Sequence, residues 1–241
     1  MPDTMGGEAG CSAREWPRIG SMEMIDWKAE TQAAYDLVAP GYERLLRTEL
    51  DANPFDRALL GLFAELVGTD GSPVADLGCG TGRIARYLSE RGLDVRGMDL
   101  SPKMIEIARR ENPGLSFDVG SLEDLDMADE SCAGVLAWYS IIHAPMEVLP
   151  QIFAEMHRVL RPGGFALLAF QSGNESVKVS RAYGHEVSFT AHRLDPEYIA
   201  SLLEAAGFAR HSSTVRQPGP MESTPQAYLM MRKEAQQHAD D

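Results

Sequence analysis

The run V-A-D-L-G-C-G-T-G, from Val74 to Gly82, decides how the rest of the chain is read. Two apolar residues, Val74 and Ala75, open a short strand that runs into the acid Asp76. Glycine then recurs at every second position, as Gly78, Gly80 and Gly82. Glycine turns sharply where φ is positive and lets a ligand come close to the backbone. The segment after it, Arg83 to Arg91, carries Ile84, Ala85, Tyr87 and Leu88 at helical spacing. Strand, glycine loop and helix in this order open an α/β unit of the nucleotide-binding kind.

The spacing narrows that reading. These glycines form G-x-G-x-G, whereas the dinucleotide pattern G-x-G-x-x-G needs its last glycine where this chain has Arg83. An acid two positions before the first glycine, here Asp76, is also foreign to the dinucleotide pattern. D-L-G-C-G-T-G resembles the first motif of the class I S-adenosylmethionine-dependent methyltransferases. The resemblance implies an α/β fold: a doubly wound, Rossmann-like, seven-stranded and mostly parallel sheet with an antiparallel edge strand, in a single domain under N-terminal cap helices. It implies S-adenosyl-L-methionine as cofactor. The backbone of Gly78, Cys79 and Gly80 then meets its methionine and ribose part, Asp76 positions it, and Arg83 joins the contacts just past the loop.

Composition excludes several other classes. A net charge of −14 repels phosphate backbones and anionic lipid, and the basic residues are scattered, so nucleic acid and membrane are not expected as partners. Ala133 to Pro145, the longest mostly apolar stretch without charge, is too short to span a bilayer. The N-terminus carries Asp3, Glu8, Arg14 and Glu15 with no apolar core, unlike a secretory signal. Cys11, Cys79 and Cys132 are odd in number and widely spaced, which suggests neither disulfides nor a metal site and suits a reducing cytoplasm.

Residues 1–22 read as a mobile tail, 23–55 as cap helices, 56–233 as the methyltransferase domain and 234–241 as a C-terminal tail. From Met24 the pattern is helical, with an apolar face interrupted at Pro40-Gly41. A-Y-D-L-V-A-P-G-Y-E resembles the segment with which small-molecule methyltransferases close over the cofactor. Tyr35 and Tyr42 on it touch cofactor and acceptor respectively, or simply pack. Further helices are expected over Asp56 to Val67, Pro102 to Asn112, Pro145 to Leu160 and Pro196 to Ala206. Strands are expected over Asp94 to Met98, Leu115 to Val119, Cys132 to Trp138 and Phe165 to Phe170, with a closing pair at Ala209 to Val215 and Ala227 to Met231. Arg161 to Gly164 reads as a turn, Gln171 to Gly184 as polar loop, and Glu186 to Thr190 as a short strand. The interval 171–195 is where the resemblance places acceptor specificity.

Asp99 ends the second strand about 20 residues beyond the glycine loop, where nucleotide folds place the acid that accepts from the ribose hydroxyls. Ser101 followed by Pro102 supplies the helix cap, which leaves Asp99 free for that task. Leu100 lies beside it. Met104 either lies against the adenine or fills the core. Many family members have Asp after the glycine that ends the third strand; this chain has Ser121, so its hydroxyl or the Leu122 amide is left to meet the adenine. Tyr139, Ser140 and His143 follow the fourth strand and belong at the site, because ligands of open α/β sheets sit beyond the carboxyl ends of the strands. Tyr139 is assigned to the cofactor, and Ser140, His143, His185 and His192 to the acceptor. His143 is also the first candidate for general base, since histidine titrates in the useful range, or it fills space or satisfies a backbone carbonyl. The function expected is methyl transfer to oxygen or nitrogen of a small molecule, by a monomer or homodimer, with no metal. The alternative is a non-catalytic cofactor sensor or assembly protein of the same fold.

Overall fold

The computed structural model describes residues 26–220 and 222–235. The expected N-terminal tail, residues 1–22 with Cys11, lies outside the described residues, as do Met24 at the expected start of the cap helices and residues 236–241 of the C-terminal tail.

Nine strands and seven α-helices are described. In chain order these are α1 (Trp27–Leu46), α2 (Glu49–Ala52), α3 (Pro54–Val67), β1 (Val74–Leu77), α4 (Arg83–Ser89), β2 (Val95–Asp99), α5 (Pro102–Glu111) and β3 (Ser116–Val119). Then come β4 (Cys132–Trp138), a short 3-10 turn (Ile141–His143), α6 (Leu149–Val159), β5 (Leu160–Gln171), β6 (Ser176–Ala182), β7 (His185–His192), α7 (Pro196–Ala205), β8 (Phe208–Arg216) and β9 (Gln226–Lys233).

Seven strands form one sheet in the order β3-β2-β1-β4-β5-β9-β8. The first five are parallel, with Val74 opposite both Val95 and Gly134, and Gly134 opposite Phe165. Strand β9 runs antiparallel to β5 and to β8. Both faces are covered, so successive residues of a strand enter opposite cores. Val135 and Ala137 pack toward Ile152, Phe153 and Met156 of α6 and Ile199 and Leu203 of α7. Leu136 and Trp138 pack toward Leu60 and Phe63 of α3 and Ile84 and Leu88 of α4. That double burial explains why β4 is a near-continuous apolar run. The chain leaves β1 toward one edge and β4 toward the other, and the crevice at this reversal, beyond the carboxyl ends of the strands, is where such sheets hold ligands.

Four expectations are corrected. Helix α1 does not break at Pro40-Gly41. Proline removes one helical hydrogen bond, but the helix is tied down in the turn just before it. The Asp36 carboxylate accepts from Ser101 Oγ at 2.6 Å and from the Lys103 amide at 3.1 Å, and Ala39 packs on Met104 and Ile107. Arg161 to Gly164 belongs to the start of β5 rather than to a turn, with the irregular pairing between Cys132 and Gly134 absorbing the glycines. The sixth helix starts at Leu149, after the 3-10 turn, not at Pro145. The interval read as polar loop contains β6, which pairs with β7 in a separate two-stranded sheet. This hairpin lies on α1: a Cβ at Gly41 would stand 3.2 Å from the Tyr183 carbonyl oxygen. Among the described residues no helix is long and apolar enough to cross a membrane.

Candidate active site

The glycine loop is built onto the second strand. The amides of Gly78 and Cys79 both donate to the Met98 carbonyl, at 2.7 and 2.9 Å. Gly78 has φ +77°, and a Cβ there would lie 2.2 Å from Ser140 Cβ, so conformation and space both require glycine. Asp99 then fastens the loop: Oδ2 accepts from the Gly80 amide at 2.8 Å and Oδ1 from the Ser101 amide at 2.9 Å. The side chain is therefore not free of local duties as the sequence suggested. Ser101 does cap α5 through Met104 N, as expected. Each carboxylate oxygen still has acceptor capacity left, and Asp99 lines the cavity described next.

That cavity has a volume of about 600 Å³, well within the range of small-molecule sites. Its floor is made by Gly78, Gly80, Asp99, Leu100, Met104, Ser121 and Leu122. Ser121 Oγ donates to Glu123 at 3.2 Å, and Glu123 pairs with Lys28 of α1 at 2.5 Å. Arg83 also reaches the wall, its guanidinium held by the Glu49 carboxylate of α2.

Asp76 and Cys79 stand elsewhere. Both line a small crevice beneath the loop, not the cavity itself. Asp76 is 1% exposed and neither of its oxygens has a hydrogen-bond partner. Burial, reinforced by the Asp99 charge, pushes its pKa up to about 7. Burial also holds the Cys79 thiol well above its usual range, hence protonated.

The roof comes from α1 and the β6–β7 hairpin. Tyr35 Oη and His143 Nε2 share a hydrogen bond of 2.9 Å, and the Phe189 ring of β7 lies 5.8 Å from the Tyr35 ring and 5.4 Å from that of His143. Tyr42 packs against Tyr183 at 5.2 Å. His143 is buried, and loss of hydration pushes its pKa down to about 4, so the imidazole is neutral at pH 7. The Thr190 backbone also bonds its ring, whereas the buried Ser140 Oγ has no partner. Tyr139, at φ +57°, sits in a backbone region that costs a bulky side chain energy. Its hydroxyl lies 3.5 Å from that of Tyr228, which in turn donates to the buried Asp56 at 2.8 Å.

Of the residues the sequence singled out, thirteen line one cavity: Tyr35, Tyr42, Gly78, Gly80, Arg83, Asp99, Leu100, Met104, Ser121, Leu122, Tyr139, Ser140 and His143. His185 does not; it is exposed near the hairpin tip, where β7 pairs with Ala182. His192 does not either, and its Nδ1 bonds Ser176 Oγ across the hairpin at 2.8 Å. Sequence reasoning missed Trp27, Thr31, Val177, Val179, Phe189, Arg193 and Glu222, all on the wall. The alternation Val177-Lys178-Val179 and the Tyr183-Gly184 turn were the available signals for the hairpin. Among the described residues no cluster of His, Cys, Asp and Glu could hold a metal.

Residues 74–164 match the family model of the methyltransferase domain. Residues 74–164 thus form a methyltransferase domain, on a fold shared with solved S-adenosylmethionine-dependent methyltransferases. The match spans β1 to the start of β5, so it covers the cavity floor and leaves out α1 and the hairpin. Similar curated proteins are a malonyl-[acyl-carrier protein] O-methyltransferase of Pectobacterium atrosepticum, 31% identical over 51% of this chain and 47% of that one, and a demethylmenaquinone methyltransferase of Chlorobaculum parvum, 34% identical over 56% of each. The chain thus spans about half the length of the curated relatives it matches. A solved S-adenosylmethionine-dependent methyltransferase of Methanosarcina mazei superposes with a TM-score of 0.65, at 19% identity, over 72% of this chain and 97% of that one. The cofactor of this methyltransferase fold is S-adenosylmethionine. The floor fits it: glycine backbone where a Cβ has no room, a carboxylate with spare acceptor capacity on the wall, and a buried unpartnered acid beneath.

Proposed function

We propose that the chain transfers the methyl group of S-adenosylmethionine to an oxygen or nitrogen of a small molecule. The observation that carries this is Asp99, bonded to the Gly80 amide and presented to the floor of a cavity at the reversal of the sheet. Asp99 holds the ribose hydroxyls, the Gly78–Gly80 backbone takes the rest of the nucleoside and the methionine part, and Leu122 and Ser121 meet the adenine between Leu100 and Met104. Asp76 acts from beneath, through the loop it supports. When bound, the cofactor supplies a methyl group already activated by its sulfonium.

What the protein adds is position and exclusion of water. The roof of α1 and the hairpin encloses the acceptor against Tyr42, Tyr139 and Ser140. An acceptor that keeps its proton at neutral pH needs a base. His143 is the base of this reading, because it is neutral at pH 7 and bonded to Tyr35 on the cavity wall. Similarity to the Pectobacterium O-methyltransferase favours oxygen. Unpaired Cys79 and Cys132 suit a cytoplasmic setting, and the net charge disfavours nucleic acid. A monomer or homodimer is expected.

The test is calorimetric titration of the purified protein with S-adenosylhomocysteine, with NAD as the parallel control. Micromolar or tighter binding of the former alone is expected. A folded sample that binds neither overturns the reading.

A further inference from the structure

The charges on the cavity wall are arranged unusually. Apart from Asp99, the charged side chains that line it are Glu49, Arg83, Arg193 and Glu222. Each already has a counter-ion. Arg83 is held by Glu49, Arg193 by Glu175, and Glu222 by a two-pronged pair with Arg216 at 2.7 Å on each prong. His143 adds no positive charge, since burial keeps it neutral. No cation on the wall is left to meet an anionic acceptor, and a buried carboxylate or phosphate without a partner pays a large desolvation cost.

The roof is otherwise apolar and rich in rings: Trp27, Tyr35 and Phe189 face the chamber with Val177, Val179 and Ala191. One neutral polar side-chain atom on a wall residue has no partner, the buried Ser140 Oγ. A hydroxyl group, which both donates and accepts without carrying charge, suits a wall with no free cation, and aromatic surroundings favour a ring.

Resting on the methyl-transfer reading above, we propose that the acceptor is an uncharged, ring-bearing molecule with a hydroxyl group, held between α1 and the β6–β7 hairpin, and that carboxylates and phosphates are rejected. Rejection comes from the pairing of the wall cations. Arg193 is the one whose partner is most easily removed, because the Glu175 side chain is 59% exposed.

The experiment compares three probes on one ring system, 2-naphthol, 2-naphthoate and 2-naphthyl phosphate, by calorimetric titration with and without saturating S-adenosylhomocysteine. The naphthol is expected to bind at least about tenfold tighter than either anion. In Glu175→Gln, where Arg193 is released, naphthoate is expected to gain about tenfold while naphthol is unchanged. An anion that matches or exceeds naphthol in the wild type overturns the proposal, as does failure of all three probes. No gain for naphthoate in Glu175→Gln overturns the role of pairing in the rejection. The two readings fail separately: absence of S-adenosylhomocysteine binding with naphthol preference intact defeats methyl transfer and leaves the chamber's selectivity standing.

Discussion

Tyr35 and His143, 108 residues apart in the chain, share a hydrogen bond of 2.9 Å that fastens the roof helix to the end of the fourth strand. Tyr35→Phe keeps the ring packing and removes only that bond, leaving a buried imidazole nitrogen unpaired. A loss of about 1–3 kcal/mol in unfolding free energy is expected, with S-adenosylhomocysteine affinity held within about threefold. Denaturant titration and calorimetry measure the two quantities. Unchanged stability would mean that the bond does not hold the roof in solution.

His143→Ala is expected to slow turnover of a phenolic acceptor by about 10²–10⁴-fold, the usual range for a positioned base, with a much smaller effect on cofactor affinity. In the wild type the acid limb of kcat/KM should fall through the folded pKa of about 4, not through the ordinary 6.5. A limb near 6.5, or an unaltered rate in the variant, removes His143 as base.

Asp76 and His143 pull stability in opposite directions with pH. The folded pKa of Asp76 is raised to about 7, so its contribution is complete below the ordinary carboxylate value of 3.8 and is lost as pH rises through 7. The folded pKa of His143 is depressed to about 4, so its contribution is complete above 6.5 and is lost as pH falls toward 4. Asp76→Asn removes the first term alone. The cofactor-free variant is therefore expected to gain about 4 kcal/mol relative to wild type on going from pH 4 to pH 8. Parallel stability curves for the two proteins would contradict the burial of an unpartnered Asp76.

Asp99→Ala removes the acceptor of two backbone amides as well as the ribose ligand. S-adenosylhomocysteine affinity is expected to fall by about a hundredfold or more, and stability by about 1–3 kcal/mol. Wild-type affinity in a calorimetric titration of the variant would break the assignment.

The floor of the site was legible because its signals are local. Val74 to Gly82 announces strand and turn within nine letters, and the apolar run of β4 follows from burial on both faces. The roof was less legible for the same physical reason in reverse. Pro40 looks like a helix break until Asp36 is seen bonded to Ser101 and Lys103, partners that no local pattern supplies. Strand β6 hides because Val177, Val179 and the small Ala182 are its only apolar residues, which is what a hairpin with one wet face allows. Spacing puts Asp99 at the end of β2, where it lines the cavity, yet its bond to Gly80 depends on loop geometry. The pairing of Arg193 with Glu175, and of Arg216 with Glu222, joins segments that carry no motif at all.

Floor and roof are encoded in different parts of the chain. The floor belongs to one continuous stretch that the family shares, and the roof to α1 and the β6–β7 hairpin on either side of it. A point substitution at Phe189, Val177 or Glu175 therefore alters which molecule is admitted without moving Asp99 or the glycine loop. Such a chain can change customers while keeping its trade, and grafting the hairpin and first helix of a relative onto this floor is the direct route to redirecting it.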